Sequence, residues 1–240
     1  MVKRYLLFSF QKNAPLTSLS LSLSFFPLHF FSELSVIEFE LYRAIEASEL
    51  MNKNWQRENA VELSPNVVAL RRRFNQLSFW TQTVILKGAE SKSQQCKIAK
   101  FLLDVCWYLY QMRNYNSLGA IVSGLSSLIL ERLDYLWEGL SKADAKRRDD
   151  VNGVLALAQN FKAYRTLLED AAQKDVACIP YLPLHLRDML TIDEREENFL
   201  TSVDDQGSRL VNFEKMMLLG NAMHSVLQFR GHSWGGVQNV

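Results

Sequence analysis

From Ser32 onward, apolar residues return every three or four positions, the spacing of one face of an α-helix. Ser35-Val-Ile-Glu38 has the form of a capping box, Ser and Glu three apart ahead of an apolar run. It predicts a helix start, with Ile37, Leu41 and Ile45 along one face. Ser64-Pro65 is a second start signal, a cap residue followed by proline at the first helical position. The long amphipathic run Val67 to Leu86 follows it. A third helix is predicted over 94–112, apolar at Ile98, Phe101, Leu102, Val105, Leu109 and Met112. Asn116-Ser117 restarts the chain into Leu118–Leu128. Further helices are predicted near 141–158, 160–173, 184–193 and 209–229. No proline falls between Pro65 and Pro180, and beyond the first 31 residues no pair of alternating segments is joined by a turn dipeptide. The pattern is that of an all-α domain without internal repeats.

Residues 1–31 break this pattern. Leu, Ser and Phe dominate there, and the only charges are Lys3, Arg4 and Lys12. Basic residues before an apolar run resemble a targeting segment. However, Gln11-Lys12-Asn13 interrupts the run, serine recurs at nearly every second place from 16 to 26, and no small-x-small cleavage site follows. The expectation is a poorly ordered extension over 1–31 and one domain over 32–240, short at its C-terminal end.

Composition narrows the chemistry. A chain of 240 residues can bury a core without staples. A formal net charge of +1 excludes a globally basic nucleic-acid binder. Cys96, Cys106 and Cys178 are odd in number and form no CxxC pair, which fits a reduced, cytoplasmic compartment. His29, His185, His224 and His232 lack the HxxxH or HExxH spacing of a zinc site. No GxxxxGK[ST], GxGxxG or GxSxG is present. Glu196-Glu197 and Asp149-Asp150 are sequence neighbours, which point about 100° apart on a helix and do not converge as a catalytic dyad. Arg71-Arg72-Arg73 would spread around a helix, so at least one must meet other structure or a partner.

Three blocks carry a resemblance. Ser64-Pro-Asn-Val-Val-Ala-Leu-Arg-Arg-Arg-Phe-Asn-Gln-Leu-Ser-Phe-Trp80 is the first. Asn114-Tyr-Asn-Ser-Leu-Gly-Ala-Ile-Val-Ser-Gly-Leu125 is the second, and Cys178-Ile-Pro-Tyr-Leu-Pro-Leu-His-Leu-Arg-Asp188 the third. Shorter echoes are Glu33 to Tyr42, Asn160-Phe-Lys-Ala-Tyr-Arg165 and Leu210-Val-Asn-Phe-Glu-Lys215. In this order and spacing, over about residues 33–230, they resemble the Cdc25-homology catalytic domain of Ras-family guanine-nucleotide exchange factors.

The resemblance implies an all-helical bowl with a protruding helical hairpin. The implied activity is GDP release from a Ras-, Rap- or Ral-type small GTPase, with no cofactor, metal or covalent chemistry. The implied location is the cytoplasm, with membranes reached only through the lipidated GTPase. It further implies a wedge, Leu190 and Glu194, one helical turn apart on one face. Leu190 would disturb the magnesium surroundings, and Glu194 would place negative charge at the α-phosphate position; Asp193, Glu196 and Glu197 make this segment acidic. The gripping surface implied is Trp55, Leu70, Arg72, Phe74, Asn75, Ser123, Ser126, Phe161 and Tyr181. Ser78, Trp80, Asn116, Ile179 and Leu186 are expected to build the scaffold, and His185 to pack rather than ligate. The sequence departs from the family pattern at Ser126 (for Asn), Ile129 and Pro183, and at Met216-Met217-Leu218, where a basic run is usual. The alternative expectation is an inert relative that binds a GTPase or another signalling protein as an adaptor.

Overall fold

The computed structural model describes residues 27–203 and 207–234. Among them are eleven α-helices and one small hairpin of two strands. The all-α expectation holds. The extension expected over 1–31 lies outside the described residues as far as residue 26, and the chain is already helical from Pro27.

Helix α1 spans Pro27–Arg43, so Ser35 and Glu38 lie inside it rather than at its start. What looks like a capping box is a buried polar pair. The Ser35 hydroxyl accepts from Asn114 Nδ2 at 3.0 Å, and the Glu38 carboxylate accepts from Asn116 Nδ2 at 2.6 Å. The buried stripe is Leu34, Ser35, Glu38, Phe39 and Tyr42, one step round from the predicted face. Two short 3₁₀ turns, Ala47–Leu50 and Asn54–Gln56, lead to α2, Ala60–Leu63.

Helix α3, Pro65–Lys87, begins where Ser64-Pro65 predicts, but Ser64 does not cap it. Its hydroxyl donates to the Glu49 carbonyl at 2.8 Å. The cap is instead the Glu49 carboxylate, which accepts from the backbone N–H groups of Asn66 at 2.7 Å and Val67 at 3.1 Å. Asn66 Nδ2 adds a third bond at 2.8 Å. A carboxylate on the positive end of a helix satisfies orphan donors and opposes the macrodipole. Glu49→Ala is expected to lower stability by about 2–3 kcal/mol, since a buried charged acceptor leaves donors unmet. Urea denaturation checks this; a change below about 0.5 kcal/mol would mean that water replaces the cap.

Helix α4, Lys92–Gln111, is capped by Ser91, and α5, Tyr115–Leu125, by Asn114, which accepts from Ser117 N at 3.0 Å. Short helices α6, Leu128–Glu131, and α7, Tyr135–Glu138, follow. Helix α5 is the centre of the core and packs against α3, α4 and α1. Helix α8, Lys142–Val154, lies on α4. The next helix starts at Lys162, not at residue 160, because Gln159, Asn160 and Phe161 all hold positive φ of 50°, 55° and 60°. That left-handed run cannot join a right-handed helix. Helix α9, Lys162–Gln173, follows, and then α10, Leu182–Arg195.

The prediction of helix over 209–229 is corrected at its start. Strand β1, Phe199–Val203, pairs antiparallel with β2, Arg209–Val211, aligning Phe199 with Val211. Gly207 at φ +78° supplies the turn geometry that other residues resist. Helix α11, Phe213–Leu227, begins only after Asn212, whose side chain caps it by accepting from Lys215 N. Helices α10 and α11 pack on each other, and the last turn of α11 is tied to the end of α1 by Tyr42, whose hydroxyl donates to the Val226 carbonyl.

Candidate functional site

The first and third blocks meet in a groove of about 360 Å³ between α3 and α10. Trp55, Gln56, Phe74, Asn75, Pro183 and Leu190 are among its walls, with Asn116 at its floor. A second, more polar pocket of about 480 Å³ holds Arg57, Arg71 and Arg72 beside Trp55 and Val61. The two hollows share Trp55 and Arg71 and so form one continuous surface.

The position of α10 follows from buried polar bonds. Asn116 accepts from the Leu182 N–H at 3.2 Å while donating to Glu38. Burial pushes the Glu38 carboxyl above its usual range, with Arg73, 3.7 Å away, pulling the other way. Arg73 is thus the member of the arginine run that meets the core, while Arg71 and Arg72 are exposed. The third block is also tied to α5 through Tyr115 N to the Ile179 carbonyl at 3.0 Å.

Histidine 185 joins α9, α10 and α11, and the hydrogen bonds around it suit the neutral ring. The Tyr164 hydroxyl accepts from Tyr181 N, so its proton goes to His185 Nε2 at 2.7 Å. The Ser225 hydroxyl donates to the Ala222 carbonyl, so His185 Nδ1–H donates to Ser225. In this assignment every proton has an acceptor, which favours the neutral imidazole. Burial accordingly lowers the His185 pKa to about 4, with Asp188 opposing slightly. Between its ordinary value of 6.5 and 4, the unfolded chain takes up a proton that the folded chain refuses. The contribution is complete above pH 6.5 and is lost as pH falls through 4, in total about 3 kcal/mol. His185→Gln should therefore flatten the pH dependence of stability in this window by up to one proton. Urea titrations at several pH values read it, and parallel slopes for the two proteins would contradict it.

The implied site residues divide into three groups. Leu190 is half-buried in the groove wall, and Glu194 lies exposed one turn further on the same helix. Arg72, Asn75, Ser123 and Ser126 are exposed, and Phe74 and Tyr181 half-buried, their rings 6.0 Å apart. Helix α5 crosses α3 with Gly124 against Ser78 and Thr81, and Ser123 and Ser126 are not part of the groove lining. Leu70 is corrected, since it is wholly buried in the core, and Trp55 and Phe161 are also buried, although Trp55 lines both hollows. Leu70 points to the inner side of α3 and is inaccessible. Phe161 supports Tyr181, their ring centroids 6.3 Å apart. The scaffold residues Trp80, Asn116, Ile179 and Leu186 are buried.

Three features went unseen in the sequence. Gly119 makes room for the Tyr181 ring, because a Cβ there would lie 2.6 Å from its edge. Phe79 is largely exposed next to the crossing with α5. Asp193 is not a free acid beside Glu194: the Lys53 hydrogen bond holds its carboxyl below the usual range against partial burial, and Lys215 reinforces this. Among the described residues no group of three or more His, Cys, Asp or Glu could hold a metal ion, and no helix is long and apolar enough to cross a membrane.

The RasGEF domain family matches residues 29–217. The Ras guanine nucleotide exchange factor A of Dictyostelium discoideum is 35% identical over 187 residues, 78% of this chain and 30% of that protein. The Ras guanine nucleotide exchange factor J of the same organism is 32% identical, over 82% of this chain and 23% of its own length. The Ras-specific guanine nucleotide-releasing factor RalGPS2 of Macaca fascicularis is 28% identical, over 83% and 34% respectively. The chain thus spans about a third or less of the length of these curated relatives. With a matching segment that runs from α1 into α11 and includes the whole groove, the chain belongs to the RasGEF domain family.

Proposed function

We propose that this domain promotes GDP release from a Ras-, Rap- or Ral-type small GTPase by binding alone, without covalent chemistry. The observation that carries this reading is Leu190 and Glu194 one turn apart on α10, at the edge of a groove whose other wall is the first sequence block. Nucleotide and exchange factor weaken each other's hold on the GTPase, and the coupling is reciprocal. A nucleotide bound at picomolar affinity represents about 16 kcal/mol, so a broad and rigid contact surface is needed beside the wedge. Exposed Arg72 and Asn75, with half-buried Phe74 and Tyr181, would supply it. The domain would act in the cytoplasm, meeting membranes through the lipidated GTPase.

Release of a fluorescent GDP from a panel of Ras, Rap and Ral proteins tests the proposal. Faster release from at least one of them is expected. A second reading, an adaptor without exchange activity, draws on exposed Met216, Met217 and Leu218, where the family pattern is basic, with exposed Phe213 beside them. Binding of nucleotide-free GTPase with no acceleration of GDP release from any panel member would select the adaptor.

A further inference from the structure

The last turn of α10 is held by two ammonium groups from distant parts of the chain. Lys53 Nζ lies 2.7 Å from Asp193 Oδ2, and Lys215 Nζ lies 2.9 Å from Asp193 Oδ1. Lys215 is 3% exposed, and it donates also to the carbonyls of Asp193 at 3.0 Å and Glu196 at 2.6 Å. Its three protons are therefore all used, two of them on carbonyls that a helix C-terminus leaves without partners. Asn212 Nδ2 takes the next carbonyl, that of Glu197, at 3.1 Å. These bonds fasten α10 to the start of α11 and make the two helices one body.

Lys53 does something different, because it fastens that body to the opposite wall of the groove. It sits two residues before Trp55, which faces Leu190 across the hollow. Asn52 and Lys53 both hold left-handed backbone, φ 52° and 55°, without being glycine. Such positions persist only where surrounding bonds over-determine them. Here the Arg57 guanidinium grips the Asn52 carbonyl with Nε at 3.3 Å and Nη2 at 3.2 Å. The strained pair aims the Lys53 ammonium at Asp193, the neighbour of Glu194.

We infer that Lys53 is a positioning residue: through Asp193 it sets the separation between the Trp55 wall and α10, and hence the angle at which Leu190 and Glu194 are presented. The inference rests on the exchange-factor reading for its consequence, though not for the contact itself. A partly exposed pair such as Lys53 and Asp193 contributes little to stability. Its loss should leave the domain folded and shift only where α10 points. Small displacements are costly for such a group, because a misplacement of about 1 Å can cost on the order of a hundredfold in rate.

The test compares Lys53→Met, Lys53→Arg and the unaltered full chain. Amide hydrogen exchange across residues 190–198 of the free chain is measured first. Lys53→Met should speed it at least about threefold, and Lys53→Arg should restore protection, since arginine keeps the charge. GDP release at saturating exchange factor should then fall about five- to tenfold in Lys53→Met, with affinity for nucleotide-free GTPase within about twofold. A merely structural residue would not separate those two quantities. Unchanged amide protection in Lys53→Met overturns the inference, and so does changed protection with an unchanged release rate. If the unaltered chain accelerates no GTPase, the exchange-factor reading is what fails, because the amide protection reports on the contact without a GTPase.

Discussion

Leu190→Ala combined with Glu194→Ala is expected to slow GDP release by roughly 30- to 150-fold while leaving affinity for nucleotide-free GTPase nearly unchanged. That range corresponds to losing about 2–3 kcal/mol of coupling, at about 1.4 kcal/mol per decade. The separation follows from where the two side chains lie. Glu194 is exposed beyond the groove, and Leu190 forms part of one wall, whereas Arg72, Asn75, Phe74 and Tyr181 cover a much wider surface. A contact that only displaces nucleotide alters the coupling between two partners rather than the grip on one. Leu190 is half-buried, so its truncation should cost about 1 kcal/mol of stability, and Glu194 almost nothing. Fluorescent-GDP release and a calorimetric titration with nucleotide-free GTPase decide it together. A double variant that releases GDP at the parent rate would remove the wedge; one that unfolds would show that Leu190 carries the core.

The helices were legible because their signals are local. Apolar spacing over Val67 to Leu86 and over 94–112 is a property of one face, and α3 and α4 lie there within a few residues. Boundaries failed where a distant residue decided them. Ser64 looks like the cap of α3, but Glu49 takes that role from fifteen positions upstream. Ser35 and Glu38 have cap spacing by coincidence of need, since both face the Asn114–Asn116 turn, about 78 residues further along. The hairpin Phe199–Val203 with Arg209–Val211 has one local sign in the sequence, Gly207. For the site, the resemblance supplied residue types but could not show accessibility. Leu70 shares a helix with Arg72, yet two positions correspond to about 200° of rotation, and Leu70 turns inward. Nor could it show that Asp193 is spoken for, because Lys53 and Lys215 lie 140 and 22 residues away.

Asn116→Ala is expected to be the most destabilising single change near the site, costing about 3–5 kcal/mol. Two groups lose a partner at once. The Glu38 carboxylate, wholly buried, loses its 2.6 Å donor and keeps only Ser117 and Arg73, the latter at 3.7 Å. The Leu182 N–H, in the first turn of α10, loses its acceptor. A small domain holds about 5–15 kcal/mol in all, so this one amide can account for a third of it. The cause is separable by a cycle with Glu38→Gln. Once the acceptor is uncharged, removing the Asn116 donor should cost at least about 1 kcal/mol less than in the parent, because the two residues share one network. The same change acts on function through position. Leu182 starts the helix that ends in Leu190 and Glu194, so amides at the start of α10 should exchange faster even under conditions where the domain stays folded. Urea denaturation of the four proteins, with amide exchange on the single variant, reads both effects. A loss below about 1 kcal/mol, or strict additivity with Glu38→Gln, would mean that Asn116 fills space and does not anchor α10.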